Sequence, residues 1–238
     1  MKTLGIIGGL GPMASSYLLQ LIIEMTDAKT DQEHLDVILF DRPQVPDRTA
    51  HILDPAKPSP LPSMRDTAQT LERLGAGVIC APCVTSHCFY PELAASVSVP
   101  FLHMVEEAGR ELLAAGKKRA GILATTGTVR TRLFQDAFAR LGLKAVVPDE
   151  EGQGYVMSLI YEDIKAGRPA DPVKFQAVSE KLFAQGCDSI VLGCTELSLI
   201  KKATPLGHGY LDALEVLAKR CVQACGGPLK DACQNLIT

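Results

Sequence analysis

The sequence predicts an α/β protein made of two similar halves, each a parallel sheet flanked by helices. Three observations carry that expectation. Short apolar runs alternate with amphipathic stretches of helix length, the rhythm of a parallel sheet wound with crossover helices. The pattern restarts midway: Lys118-Arg-Ala-Gly-Ile-Leu-Ala-Thr-Thr-Gly-Thr128 echoes Lys2-Thr-Leu-Gly-Ile-Ile-Gly-Gly-Leu-Gly-Pro12, with Gly121 standing 116 positions after Gly5. Two apolar runs also end on a cysteine just before the next element. They are Gly75-Ala-Gly-Val-Ile-Cys-Ala-Pro-Cys83 and Gly186-Cys-Asp-Ser-Ile-Val-Leu-Gly-Cys194, and their cysteines lie 111 positions apart.

In order, Leu4-Gly-Ile-Ile reads as a strand leading into the glycine turn Gly8-Gly9-Leu10-Gly11. Pro12 suits a first helical position, and Leu18, Leu19, Ile22 and Ile23 give Ser15 to Met25 a helical spacing. Leu35 to Phe40 is the second strand. Asp41 to Pro62 is rich in proline and reads as a long loop, a kind of segment that tends to be functional. Ser63 to Leu74 reads as a helix stopped by Gly75, and Val78-Ile79-Cys80 as the third strand. Thr85 to Ser96 reads as helix, Val97 to Leu102 as a short strand, and Val105 to Ala115 as helix.

The second half follows suit. Strand, loop and helix fill Arg119 to Leu141, and Lys144 to Val147 is a strand. Helices cover Gly154 to Lys165 and Val173 to Gln185, ahead of strand Ser189 to Leu192. Leu211 to Ala224 is a last helix expected to return to the first half, and Gly226 to Thr238 has no pattern. The domains expected are therefore residues 1–103 with about 208–238, and residues 104–207.

Composition excludes several classes. The 238 residues are 47% hydrophobic and 21% charged, an ordinary globular balance. A net charge of −3 gives no electrostatic reason to expect nucleic acid or a membrane surface as partner. No apolar run approaches the roughly 20 residues that span a bilayer, and the N-terminal run is too short for a signal peptide. The eight cysteines are expected to stay reduced in the cytoplasm. Cys80, Cys88, Cys187, Cys221 and Cys225 read as small buried hydrophobes.

Cys83 and Cys194 differ, because a strand-end thiol among helix-start N–H groups is placed to favour its thiolate. Such a thiol can act as nucleophile, metal ligand, redox partner or proton-transfer base. A zinc site needs more close ligands than Cys83 and His87, with no tight pair near Cys194, so no metal is expected. Cys80-Ala-Pro-Cys83 matches C-x-x-C, but Cys80 falls inside the strand and Val191 replaces it in the second half, which weakens a redox role. The glycine turn matches neither G-x-G-x-x-G nor a Walker loop and suits a small carboxylate better than a nucleotide. The remaining option stands the two thiols on opposite faces of one carbon across a domain cleft, one taking a proton while the other delivers one. The loops Gly8 to Gly11 (with Gly9 and Gly11) and Thr125 to Thr128 are candidate donors for the developing anion. That chemistry needs no cofactor.

These stretches together carry a resemblance. Gly8-Gly-Leu-Gly-Pro12, Pro43-Gln-Val-Pro-Asp-Arg-Thr-Ala50, Pro82-Cys-Val-Thr-Ser-His87, Leu123-Ala-Thr-Thr-Gly-Thr128, Tyr161-Glu-Asp-Ile-Lys-Ala-Gly167 and Gly193-Cys-Thr-Glu196 occur in the order and spacing of the cofactor-independent aspartate/glutamate racemase family. The chain is most similar to that family's aspartate racemases, from Met1 to about Ala224. The resemblance implies two α/β domains with the active site in the cleft between them, and a two-base reaction by Cys83 and Cys194 on a small amino acid. It implies Arg48 and Lys165 as the clamp for a distal carboxylate, a pairing suited to that charge. Thr85, Ser86, Thr126, Thr195 and Glu196 fall at pocket positions, and the family's dimers imply a homodimer. Glu196 is placed either to tune Cys194 or to cap its helix, and His87 has a structural reading as well as a functional one.

The chain departs from the family's Cys-Asn-Thr-Ala-His at Val84, which replaces an amide side chain with a hydrocarbon. Pro205 to Asp212 is also less compact than the family's Pro-x-x-Asp. The function expected is racemisation of aspartate, with glutamate or another small amino acid, or the chemistry of a hydantoin racemase or maleate isomerase, as alternatives. A non-catalytic amino-acid or dicarboxylate binder is the alternative of another class; binding alone needs no paired thiols.

Overall fold

The computed structural model describes residues 1–238. The chain divides into two compact units, Met1–Met104 with Leu214–Asn235, and Val105–Ala213 with Leu236–Thr238.

In the first unit β1 (Leu4–Gly8), β2 (Val37–Asp41) and β3 (Val78–Cys80) form a parallel sheet in the order β2-β1-β3. The central strand is buried along its whole length, which is why it reads as a continuous apolar run. Register pairs Gly8 with Asp41 and Ile6 with Cys80. The glycine turn and the Ala81–Cys83 turn therefore leave the sheet at one carboxyl edge, the edge where parallel α/β sheets place their ligands. Helix Leu61–Arg73 packs Met64, Ala68 and Leu71 into the core with Ile7, Leu10, Ile79 and Leu93.

In the second unit β4 (Arg119–Leu123), β5 (Lys144–Val146), β6 (Ser189–Leu192) and β7 (Tyr210–Asp212) form a parallel sheet in the order β5-β4-β6-β7. Ile190, Leu192, Leu182, Val178, Leu159 and Ile160 belong to its core.

Five local expectations change. The proline-rich loop contains a helix, Arg48–Leu53, because Asp47 accepts from the Ala50 N–H and caps it. Residues 97–102 form no strand: Phe101 makes one isolated bridge to Ile79, and Pro100 has no N–H to extend it. Thr85 to Ser96 is split into a 3-10 turn, Val84–Phe89, and a short helix, Tyr90–Ala94, with Pro91 in its first turn. The helix expected over 154–165 starts at Glu150 and widens into a π turn over Ser158–Ile164. The start of the last helix is in fact β7, which pairs with β6 through Leu192 and Asp212, and the helix runs Ala213–Ala224.

The patternless tail is also tied down. Leu229 bridges Thr26, and Lys219 Nζ donates to the Gln234 carbonyl at 2.6 Å.

Candidate active site

Each candidate thiol follows a buried strand by two or three residues and caps the next helical turn. Cys83 precedes the 3-10 turn Val84–Phe89 with φ −150° and ψ 108°; Cys194 precedes helix Thr195–Ala203 with φ −141° and ψ 132°. Both residues are 6% exposed. The residue before Cys194 has to be glycine, because a Cβ on Gly193 would lie 2.8 Å from the Phe134 ring.

Around Cys83 the hydrogen bonds serve the backbone turn. Its carbonyl accepts from Ser86 N–H at 3.2 Å, from Ser86 Oγ at 2.6 Å and from His87 Nδ1 at 3.0 Å. Ser86, expected to line the pocket, thus spends its hydroxyl on the turn. His87 Nε2 accepts from the Met104 N–H at 3.1 Å, which leaves the ring proton on Nδ1. Burial, then the charge of His103, lowers its pKa to about 4, so His87 is a neutral structural bridge. Thr85 and Val84 are buried in the same turn.

The glycine turn beside it is held by two side chains. Gly9 N–H donates to Ser15 Oγ at 2.9 Å, and the Leu10 carbonyl accepts from Arg48 Nη2 at 2.5 Å. Arg48 is buried and also donates to the carbonyls of Pro46 and Val45. Gly11 caps helix Pro12–Met25, and its carbonyl accepts from Ser15 Oγ. Gly9 has φ +85°, and a Cβ there would lie 2.3 Å from the Arg42 backbone. Gly9→Ala is expected to cost about 3 kcal/mol or more through strain and overlap, read as a lowered urea midpoint; an unchanged midpoint would show that the loop relaxes freely.

The second thiol has a charged neighbourhood. Cys194 Sγ–H donates to Glu196 Oε2 at 2.9 Å, and the other Glu196 oxygen lies 3.8 Å from Lys165 Nζ. The π turn ends with Lys165 N–H donating to the Ile160 carbonyl, five residues back. Lys165 Nζ also sits 4.3 Å above the centre of the Tyr161 ring. Burial raises the Cys194 thiol well above its ordinary range, the Glu196 carboxylate raises it further, and Lys165 opposes both. This overturns the expectation that a helix start would favour the thiolate at Cys194, since desolvation of a buried sulfur outweighs the helix dipole.

Thr125 caps helix Thr126–Arg130, and Thr126 Oγ1 accepts from Gln153 Nε2 at 3.3 Å. The structure thus joins Cys83 with Ser86 and His87, and Cys194 with Thr195, Glu196 and Lys165. Tyr161, Gln153 and Asp212 were missed as candidates. Tyr161 had a signal, its i, i+4 spacing to Lys165. Asp212, fully buried at the carboxyl end of β7, accepts from Ser198 Oγ at 2.7 Å, but its strand was hidden.

Residues 7–221 match the profile of the Asp/Glu/Hydantoin racemase family. The chain is 27% identical over 228 residues to a broad-specificity amino-acid racemase, RacX, of Bacillus subtilis, spanning 92% of this chain and 96% of that one. A glutamate racemase of Shewanella loihica is 29% identical over 160 residues, which are 65% of this chain and 59% of that protein. Among solved structures, an aspartate racemase of Picrophilus torridus superposes with a TM-score of 0.83 at 27% identity, covering 99% of both chains. No helix is long and apolar enough to cross a membrane.

Proposed function

We infer the function from one premise: the chain belongs to the Asp/Glu/hydantoin racemase family. We propose that it interconverts L- and D-aspartate by moving the α-proton between two thiols. The observation that carries this reading is the matched pair of buried strand-end thiols, each in extended backbone just before a helical turn. The similarity to an aspartate racemase over 99% of both chains supports the substrate.

In the proposed step, the Cys83 thiolate takes the proton from Cα, and the electron pair left behind is delocalised into the adjacent carboxylate. Cys194, held as a thiol by burial, delivers its proton to the opposite face of the same carbon. The reverse reaction exchanges the roles. A carbanion next to a carboxylate is poorly stabilised in water, so donors and exclusion of water have to supply the difference. Gly11, Thr85, Thr126 and Thr195 are proposed to bind the substrate. Arg48 and Lys165 are proposed to face its distal carboxylate, Arg48 with its guanidinium already anchored on the Leu10 carbonyl.

The test is incubation with L-aspartate in heavy water, followed by chiral chromatography and mass spectrometry. D-aspartate carrying one α-deuterium is expected; a binding protein gives neither product nor label. A second reading, broader specificity, is favoured by Val84, whose buried hydrocarbon side chain stands next to Cys83. The same incubation with a panel of amino acids separates the two: equal turnover of apolar substrates favours the broader reading. A cytoplasmic homodimer is proposed as the working form.

A further inference from the structure

Glu196 stands where neither helix capping nor substrate binding accounts for its contacts. Its side chain is only 9% exposed. One oxygen, Oε2, accepts from the Cys194 thiol at 2.9 Å, with Thr195 Oγ1 3.4 Å away. The other faces Lys165 at 3.8 Å. Within this unit, Glu196 from the same helix and Lys165 from the π-turned segment are the charged groups facing Cys194. An acid placed only to favour the helix dipole would need no thiol partner. Here a largely buried carboxylate is aimed at a sulfur, and a lysine braced on an aromatic ring is aimed at the carboxylate.

We propose that Glu196 is a positioning residue for the second thiol: it directs the Sγ–H bond and keeps the proton on Cys194 in the resting enzyme, while Lys165, 3.8 Å from the other oxygen, holds the carboxylate in place. The inference rests on the two-thiol reading above. A thiolate formed at Cys194 would stand beside a carboxylate, and that like-charge contact disfavours it. The free enzyme therefore rests with Cys194 as the acid. After the step Cys83 holds the abstracted proton as a thiol and Cys194 is left as a thiolate facing Glu196; the resting form returns when water takes the proton from Cys83 and supplies one to Cys194, or when the reverse reaction carries it back through Cα. A direct substrate ligand differs from this role in that its loss raises KM.

The experiment measures alkylation of Cys194 by iodoacetamide against pH, read by peptide mass spectrometry, in the full chain and in Glu196→Gln and Glu196→Asp. Only the thiolate reacts, so the midpoint reports the proton affinity of the sulfur. In Glu196→Gln the midpoint is expected to fall by about one pH unit, a roughly tenfold faster reaction at pH 8. Glu196→Asp is expected to lie between the two. Cys88, half-exposed, serves as the reference for an intact fold. A third variant, Lys165→Met, is expected to shift the midpoint upward, the opposite direction from Glu196→Gln. Unchanged midpoints in all three variants, with Cys88 reacting normally, would overturn the proposal. Kinetics give a second reading: Glu196→Gln should lower kcat for aspartate by about tenfold or more and leave KM within about twofold, whereas a substrate ligand would raise KM. If the parent protein racemises nothing, the two-thiol reading fails, and the alkylation midpoints still report whether Glu196 holds the Cys194 proton.

Discussion

Replacing Cys194 with alanine is expected to reduce racemisation of aspartate by about 10³-fold or more, the scale on which a positioned acid or base acts. The loss should be complete for inversion yet one-sided for exchange. With Cys83 still in place, one face of the α-carbon retains a base, so one enantiomer should continue to trade its α-proton for solvent deuterium with retention of configuration. Cys83→Ala should do the same for the other enantiomer. That mirror pair of exchange patterns is specific to two thiols acting on opposite faces. Proton NMR of the α-resonance in heavy water, with L- and D-aspartate in separate tubes, reads it directly. If both variants lose exchange of both enantiomers while remaining folded, the thiols do not act independently as bases. If either variant still racemises, that cysteine is not part of the mechanism. Burial, and then the Glu196 carboxylate that accepts its Sγ–H, push the Cys194 thiol upward.

Much of this arrangement was legible because the residues that set it are local in sequence. β1, β3, β4 and β6 are largely buried, mostly apolar runs of three to five residues, glycine or proline follows β1, β3 and β6 within two residues, and the duplication doubled the signal. The thiols could be picked out because each lies just beyond such a run. What stayed hidden depended on contacts remote in the chain. β7 is three residues long and leads straight into a helix, so only its pairing to β6 identifies it. The π turn that presents Lys165 has no composition of its own. Proline density masked helix Arg48–Leu53, although Asp47 was an available cap signal. Arg48 was read through its charge, and its bond to the Leu10 carbonyl is a tertiary fact, 38 residues away in sequence. For Cys194 the sequence offered the helix start but neither its burial nor the direction of the Glu196 side chain, and those two reversed the expected ionisation.

Acidification is expected to destabilise the first unit through His87. The ring is buried against His103, with centroids 5.2 Å apart, and stacked on Tyr90 at 6.3 Å. It is neutral because burial lowers its pKa to about 4 from 6.5. In the unfolded chain the same ring takes up a proton near pH 6.5. The unfolded state therefore binds more protons across this window, and stability falls as pH drops from 6.5 to about 4. At about 1.4 kcal/mol per pH unit, the loss approaches about 3 kcal/mol at the lower end. Carboxylates also respond to acid, so the comparison has to be with His87→Gln, whose amide can both donate to the Cys83 carbonyl and accept from Met104. The parent should be the more stable protein at pH 7, and its advantage should shrink by about 3 kcal/mol by pH 4 in urea titrations. A gap that stays constant with pH would mean that His87 is not held neutral. Protonation also puts a donor on Nε2, which then repels the Met104 N–H and finds the Leu102 carbonyl, 3.4 Å away, instead. The Met104 amide should accordingly lose its protection from hydrogen exchange ahead of the β1 amides as pH falls. Because the same ring holds the Cys83 carbonyl, the turn that carries the first thiol is the part of the unit that acid loosens first.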